Sequence, residues 1–314
     1  MNILKREVMI TTGEFFEKYK HCCKPDDTVS SNQSMIIKCI EGEASKLYIF
    51  GVNNYKPSDE KSHYIYIECW HKTSFYLKHE YKNFNLTCLT NTKSHENVNE
   101  KILYIPHDIS CQSDIFKIVN IENKFRGITT STFPPYKRMN LIEGNEYFTI
   151  QTDYEVAASN KTADLNKLKF VRGKNTLHLN SIDLNFVLNQ SLFGGIFSES
   201  EGGCFASSEY LCAGLPVLST FCEGGRECRY NDGNSIMCKG TVEDVLDKSK
   251  LMFEMCLEGK FNREEIRENF LKDRQPQIVK FKELLREKLE SIKLTRYNHD
   301  ELINDLLSLR YISR

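Results

Sequence analysis

Two glutamates, Glu201 and Glu209, are separated by seven residues in the stretch "SESEGGCFASSEYLCAGLPVLST". Glu201 follows "FGGIF", an apolar run that is typical of a buried strand, and a pair of glycines comes directly after it. Glycines at the carboxyl end of a parallel strand let a ligand approach the backbone closely. A carboxylate such as that of Glu209 can accept two hydrogen bonds from neighbouring hydroxyls, as in ribose. The pair therefore predicts a site for a ligand that carries sugar hydroxyls.

The segment after the glycines predicts a helix that begins near Ala206 or Ser207 and ends at Gly214. The first turn of a helix presents unpaired amides and a partial positive charge, so a phosphate fits above it. Glu209 is expected within about the first turn of this helix. Each feature alone is also an ordinary turn or helix-start signal, and only their combination favours a phosphate and sugar site.

The elements that position this stretch alternate between strands and helices. Short apolar runs bounded by Gly, Asn, Asp and Pro predict strands, whereas apolar residues at three-to-four spacing predict helices. This alternation favours parallel sheets with helices on both faces. The predicted strands cover residues 6–12, 34–40, 46–52, 63–69, 85–90, 101–107, 146–153, 167–173, 193–199 and 216–221. The predicted helices cover residues 13–22, 73–84, 181–191 and 206–213, with amphipathic helices over 264–314.

The length of 314 residues exceeds what one core usually supports and predicts two domains. We expect an N-terminal Rossmann-like domain over residues 1–108, a hinge region over 109–126 and a second Rossmann-like domain over 127–285. A helical segment is expected over 286–314. The polar, weakly patterned residues 109–127 place the hinge.

The amino-acid composition limits which cellular compartment and which binding partners are expected. The formal net charge is −1, so no overall electrostatic attraction to nucleic acid or membranes is expected. The sequence contains no long apolar run and no secretory leader pattern, which predicts a cytoplasmic protein without a transmembrane segment. Twelve cysteines are present, none in a Cys-x-x-Cys pair. That pattern favours free thiols in a reducing compartment and argues against a structural zinc site.

The run "EGGCFASSE", "YLCAGLPVLST", "EGGRE" and "NDGNSI" resembles the GT-B glycosyltransferases, and in particular the large retaining family 4. The order and the gaps of these segments match over about residues 127 to 245. The resemblance implies two Rossmann-like domains with parallel sheets facing across a cleft, followed by C-terminal helices. It also implies that Glu201 contacts hydroxyls of the donor sugar and that Glu209 holds the ribose diol. The backbone that would approach the sugar and the diphosphate belongs to Gly202, Gly203, Cys204 and Phe205.

Further positions match the same family. "STFPPYKRMNLIEG" resembles the segment that places a lysine on the donor diphosphate, which assigns that role to Lys137. The arginine usual in this segment is replaced by Ser131 or Thr132, so Arg138 or Arg226 is expected to supply the missing charge. "YIYIECWHKTSF" resembles the strand that precedes a sugar-contacting histidine, here His71.

The resemblance implies transfer of a glycosyl unit from a UDP-, GDP- or ADP-sugar to an acceptor hydroxyl, with retention and with no further cofactor. The chain lacks the Asp-x-Asp triplet that holds a metal in the other common glycosyltransferase fold, so metal-independent transfer is expected. The acceptor is a glycan, a small molecule or, as in enzymes of phages and large DNA viruses, a modified DNA base. Another GT-B reaction, such as epimerisation or phosphorolysis, stays open, as does a decayed module that only binds nucleotide-sugars.

Overall fold

The computed structural model describes residues 35–51, 57, 59–67, 83–92, 101–160, 162–175, 177, 179–295 and 298–308. The described residues fall into two compact units. The described residues up to Ser110, together with those from Pro276 onward, form the first unit, and Cys111–Gln275 forms the second. The domain boundaries expected from the sequence, at residues 108, 126 and 285, stay a prediction.

Strands and helices alternate along the described chain. The strands are β1 (Met35–Glu41), β2 (Lys46–Gly51), β3 (His63–Ile67), β4 (Asn85–Thr90), β5 (Ile102–Tyr104), β6 (Phe125–Thr130), β7 (Phe148–Gln151), β8 (Ser191–Ile196), β9 (Val217–Thr220) and β10 (Ser235–Cys238). The helices are α1 (Tyr154–Asn160), α2 (Ser181–Asn189), α3 (Phe205–Cys212), α4 (Val242–Leu257), α5 (Arg263–Ser291) and α6 (His299–Ser308). Short 3-10 helices cover His107–Ser110, Pro135–Lys137, Met139–Ile142, Leu165–Lys167, Gly173–Asn175 and Arg226–Arg229.

The sheet of the first unit follows chain order, β1-β2-β3-β4-β5. Strands β2 to β5 are parallel, as predicted, but β1 pairs with β2 in the antiparallel sense. The predicted parallel sheet therefore has one antiparallel edge strand. Only the few residues from Gly42 to Ser45 join β1 to β2, and the Gly42 amide bonds the Ser45 carbonyl at 3.0 Å. So short a connection can make only a hairpin. Predicted strand 6–12, helix 13–22 and nearly all of helix 73–84 lie outside the described residues.

The sheet of the second unit is parallel throughout and has the order β10-β9-β8-β6-β7. In chain order, β7 follows β6 and pairs on one side of it, whereas β8, β9 and β10 lie on the other side. Strand order therefore reverses at β6, between its neighbours β7 and β8. In open α/β sheets such a reversal leaves a crevice outside the carboxyl ends of the strands, where ligands bind.

The strand predicted over residues 167–173 is reduced to a single bridge between Phe170 and Ile150. Asp164 caps a 3-10 turn before it by accepting a hydrogen bond from the Asn166 amide at 3.1 Å. Gly173 then takes a left-handed conformation, with φ of 57°, that ends extended pairing after it. The turns at both ends of this segment therefore limit its strand pairing to one residue.

The glycines of "FGGIF" allow α3 and the aromatic core to pack directly on the two faces of β8. A Cβ added at Gly194 would lie 2.2 Å from the Tyr210 ring of α3, and one at Gly195 would lie 2.3 Å from the Phe148 ring. Neighbouring residues of a strand point to opposite faces. These two rings belong to the two buried clusters of the second unit, which cover the two faces of the sheet.

Within the described residues, most of the C-terminal segment is helical, as its spacing predicts. Helices α5 and α6 account for it, and the boundary between the two units falls within α5 at Pro276. None of the described helices has the length and apolar character that crossing a membrane requires.

Candidate functional site

The candidate site lies where the loops after β6, β8 and β9 leave the sheet, at the reversal of strand order. Backbone hydrogen bonds join these three loops in series. The Glu199 amide donates to the Tyr136 carbonyl, the Glu223 amide to the Glu199 carbonyl, and the Glu201 amide to the Glu223 carbonyl, each at 2.8 Å. Ser200 and Glu223 also form a parallel bridge. The loops therefore hold one another in place before any ligand binds.

Two cations converge on the Glu201 carboxylate. Lys137 Nζ lies 2.6 Å from Glu201 Oε1, and Arg226 Nη1 lies 3.2 Å from Glu201 Oε2. The side chains of Lys137 and Glu201 are only 16% and 20% exposed, so solvent screens this pair weakly. Two positive charges against one negative charge leave the cluster with one net positive charge.

The pKa values in this cluster keep all three groups ionised. Burial alone would raise the pKa of Glu201, but Lys137 and Arg226 outweigh it and hold that pKa at about 2. Burial would likewise lower the pKa of Lys137, whereas the Glu201 carboxylate raises it above the usual lysine value. The net positive charge is therefore present at neutral pH.

Arg226 is built into the protein rather than displayed on its surface. The residue is 2% exposed, and its Nη2 donates to Ser219 Oγ at 3.0 Å and to the Thr220 carbonyl at 2.9 Å. Its Nε has no hydrogen-bond partner among the described residues. Arg226 follows Gly225, whose left-handed φ of 81° turns the loop inward at the start of a 3-10 helix. The arginine thus connects Glu201 to the end of β9.

Arg138 lies beside the cluster on the loop after β6. Its backbone is left-handed, with φ of 50°, and its side chain donates to the Phe197 carbonyl and to Thr220 Oγ1, each at 2.7 Å. Burial, together with nearby Arg226, lowers the pKa of Arg138. Ser131 donates to the Thr132 carbonyl at 2.9 Å, and Thr132 itself is exposed. Both arginines expected to supply the missing charge therefore reach the same strand end, at Thr220.

Helix α3 begins directly after the glycine pair. Gly202 and Gly203 form the turn, Cys204 is the N-cap, and Phe205 is the first helical residue. Within the described part of the chain, the Cys204 side chain makes no capping hydrogen bond. Burial and the Glu201 carboxylate raise the pKa of Cys204 to about 12, so this thiol is neutral. A neutral thiol is a weak acceptor, which leaves the first-turn amides suited to an oxyanion.

Glu209 lies deeper than the sequence suggests. Because α3 begins at Phe205, one residue earlier than expected, Glu209 is the fifth helical residue, and the first turn contains no acidic residue. Glu209 is 1% exposed. A hydrogen bond to Cys212 and burial raise the pKa of Cys111, and the Glu209 carboxylate adds to that shift. Glu209 is therefore near this thiol pair, on the helix that starts at the glycine turn.

The structure brings together most of the residues singled out in the sequence, although their roles stay predictions. Glu201, Lys137 and Arg226 contact one another, Arg138 lies beside them, and α3 begins next to them. His71 lies outside the described residues. Sequence reasoning missed the supporting polar residues Ser219, Thr220, Ser207 and Tyr230, the last two joined by a hydrogen bond of 2.8 Å. For Ser219 and Thr220 a signal was available in the sequence, because they are the polar pair that ends the apolar run "PVLST". No group of three or more His, Cys, Asp or Glu residues suited to a metal ion occurs in the described ranges.

Comparisons with known proteins place this fold. No family model matches the sequence, and no curated protein does so either. Among solved structures, a glycosyltransferase from Rickettsia africae ESF-5 is 15% identical with a TM-score of 0.54, covering 79% of this chain and 77% of that one. HepE of Anabaena in complex with UDP is 12% identical with a TM-score of 0.50, covering 79% of this chain and 73% of that one.

TarM is 11% identical with a TM-score of 0.51 and covers 79% of this chain. The chain spans about half the length of TarM and of the GtfA/B structure, 50% and 54% respectively. At these identities the likeness establishes the fold. The chain therefore has the GT-B fold that the sequence predicts.

Proposed function

We propose that this protein is a glycosyltransferase that moves a sugar from a nucleotide-sugar donor to an acceptor hydroxyl. The observation that carries the proposal is the contact of Lys137 and Arg226 with Glu201 beside the start of α3, at the strand reversal of the second unit. A net positive cluster next to a helix N-terminus suits a diphosphate. The carboxylate within the same cluster suits sugar hydroxyls.

In this proposal the donor separates Lys137 from Glu201. Both partners of the 2.6 Å ion pair are assigned to the donor, the ammonium to the diphosphate and the carboxylate to hydroxyls of the sugar. Arg226 keeps Glu201 oriented during this exchange, because its buried contacts to the end of β9 do not depend on the ligand. Glu209 holds the ribose, which requires α3 or its neighbours to open access to a carboxylate that is 1% exposed.

The reaction breaks the bond between the anomeric carbon and the diphosphate oxygen and forms one to the acceptor oxygen. The acceptor oxygen approaches on the face that the diphosphate leaves, so the anomeric configuration is retained. The acceptor proton moves to the departing phosphate, so no separate protein base is needed. Charge grows on the outer phosphate as this bond breaks. Lys137 and the amides of α3 stabilise that charge where it develops. We propose that this chain's own cations suffice and that transfer proceeds without a divalent ion, which turnover in the presence of a chelator measures.

A donor screen tests the proposal. Thermal unfolding of the full chain is measured with UDP-, GDP- and ADP-sugars, since a ligand that binds only the folded state raises the unfolding temperature. We expect one nucleotide class to raise it, and UDP is the first probe because HepE, which shares the fold, was solved with UDP. The response to the nucleotide-sugar should weaken in the Glu201→Gln variant, because this carboxylate is assigned to hydroxyls of the sugar. Glu146→Gln is the matched control, since it changes an exposed ion pair with Arg126 in the same unit.

Product analysis separates the remaining alternatives. Transfer to glycan or small-molecule acceptors supports the proposal, and the anomeric configuration of the product tests retention. Donor turnover with no acceptor hydroxyl, giving an epimer, or a sugar phosphate when inorganic phosphate is supplied, would instead assign another GT-B reaction. Binding without any turnover would identify a module that has kept the site and lost the reaction. We do not extend the proposal to modified DNA, because the net charge of −1 offers no attraction to a polyanion.

A further inference from the structure

Two buried thiols of the second unit face each other away from the Lys137 cluster. The Cys111 thiol donates a hydrogen bond to the Cys212 sulfur across 3.8 Å, although the two residues are 101 positions apart. They are 5% and 0% exposed and belong to the same apolar cluster. Cys212 is the last residue of α3, the helix that carries Glu209. The end of α3 therefore lies against the segment that opens the second unit.

Helix α5 fixes both partners of this thiol pair. Arg274 donates to the Cys111 carbonyl at 2.8 Å and to Ser113 Oγ at 2.7 Å. Arg267 donates to the Cys212 carbonyl and to the Phe116 carbonyl, the latter at 2.6 Å. Because one helix holds the backbone on both sides, the two sulfurs stay in contact while the unit is folded.

The pKa values of the two thiols are shifted in opposite directions. The hydrogen bond from Cys111 lowers the pKa of Cys212 and outweighs burial, which would raise it, and nearby Arg274 and Arg267 also lower it. The pKa of Cys111 is raised by the same hydrogen bond and by burial. The thiolate is the reactive form of cysteine, so Cys212 is the attacking sulfur and Cys111 the resolving one.

We propose that Cys111 and Cys212 are an oxidation site that closes to a disulfide on reaction with a small hydroperoxide. The Cys212 thiolate attacks the terminal oxygen of the hydroperoxide, the O–O bond breaks, and the remaining alkoxide leaves (hydroxide in the case of hydrogen peroxide), so that Cys212 becomes a sulfenic acid. The Cys111 sulfur then displaces that oxygen, which departs with the thiol proton as water. The two sulfurs together lose two electrons, the peroxide gains them, and a thiol reductant reverses the change.

Geometry favours this pair over the other described cysteines. A disulfide has an S–S distance of about 2.05 Å, so sulfurs already in contact need only rotate and close by under about 2 Å. By contrast, Cys238 and Cys256 direct their thiols at backbone carbonyls, at 3.4 Å to Ser219 and 3.6 Å to Leu192. A peroxide is small enough to reach a buried thiol during local opening, whereas a bulky disulfide reagent is not.

Peptide mapping of the peroxide-treated full chain tests the proposal. After digestion without reductant, we expect one cross-linked peptide that joins Cys111 to Cys212 and disappears on reduction. Thermal unfolding should show a higher midpoint for the oxidised chain, because a link across this long loop restricts the unfolded state. Reductant should restore the original midpoint. Both measurements are independent of sugar transfer, so they stand or fall separately from the proposed function.

Two variants sharpen the test. In Cys111→Ser the resolving thiol is absent, so Cys212 should accumulate as a sulfenic acid that dimedone traps, and no cross-link should form. In Cys256→Ser, a matched loss of another thiol of the same unit, the cross-link should form as in the unaltered chain. If instead Cys212 is labelled equally in the unaltered chain and in Cys111→Ser, or stays reduced in both, the pair is no oxidation site.

Discussion

The Tyr210 hydroxyl accepts a hydrogen bond of 2.7 Å from the Thr130 backbone amide and lies 3.0 Å from Thr130 Oγ1. Tyr210 lies on α3, in the helix turn that also carries Glu209, and Thr130 is the last residue of β6. This contact joins the helix that opens at the glycine turn to the strand that leads into the Lys137 loop. Two halves of the candidate site, 80 residues apart in sequence, are thereby held in register.

Tyr210→Phe should lower the free energy of unfolding, because it leaves the Thr130 amide buried without its partner. An unsatisfied buried donor costs about 1 to 3 kcal/mol. Urea unfolding measures the change. Tyr147→Phe is the control, since it removes a hydroxyl from the same unit that has no hydrogen-bond partner among the described residues. Equal stability of the two variants would show that the Thr130 contact contributes nothing.

Gly194→Ala should also destabilise the second unit. The added methyl would lie 2.2 Å from the Tyr210 ring, and that ring is buried and cannot move freely. Overpacking of this kind costs about 1 to 3 kcal/mol. The comparison is Gly233→Ala, where the nearest atom is a side-chain oxygen of Asn231 at 3.2 Å. A stability of Gly194→Ala that matches the control would mean that α3 can shift away from β8 at little cost.

Sequence patterns predicted where strands and helices lie better than they predicted which strands pair and which side chains contact one another. Strand β4 occupies the predicted residues 85–90, because its apolar run ends at polar residues on both sides. The antiparallel pairing of β1 was missed, since an apolar run reports burial but not the direction of its neighbour. The family resemblance assigned Lys137 and Glu201 to the same donor, but their contact across 64 residues was not predicted. Arg226 was suspected, but its buried bonds to Ser219 and Thr220 depend on tertiary packing that periodicity does not encode.

Lys137→Ala should lower turnover far more than it lowers affinity for the free nucleoside. The ammonium is assigned to charge that develops on the leaving diphosphate, which a nucleoside lacks. Glu201 keeps its contact with Arg226 in this variant, so the loop should stay folded. Steady-state kinetics and calorimetry with the nucleoside measure the two effects. Lys167→Ala, at an exposed lysine of the same unit, should change neither. An equal loss in both measurements would make Lys137 a binding residue only.

Glu209→Gln should weaken nucleotide binding. A hydrogen bond to a charged acceptor contributes about 1.5 to 3 kcal/mol, and the amide retains the size of the carboxylate while losing its charge. We expect roughly a tenfold or greater rise in the dissociation constant of the nucleoside diphosphate, measured by calorimetry. Glu243→Gln on the exposed start of α4 is the matched control. Unchanged affinity of the Glu209 variant would remove this buried residue from the site and leave it a neighbour of the thiol pair.

The ion pairs of Glu201 should make stability depend on pH in a defined direction. The pKa of Glu201 is about 2 in the folded protein, below its ordinary value of 4.5, so the folded state binds a proton less readily than the unfolded state. The stabilisation is therefore complete above about pH 4.5 and is lost as the pH falls toward 2, by roughly 3 kcal/mol in all.

Urea unfolding of the unaltered chain and of Glu201→Gln from neutral pH down to about pH 3 measures this loss. The unaltered chain should be the more stable at neutral pH, and its advantage should shrink below about pH 4.5, because the variant has no proton to take up there. Glu146→Gln should differ little from the unaltered chain at any pH, since an exposed pair such as that with Arg126 contributes only about 0 to 1 kcal/mol. The difference in free energy of unfolding between the unaltered chain and Glu201→Gln is the deciding quantity. If it stayed constant down to about pH 3, the carboxylate would not be held by Lys137 and Arg226 in solution.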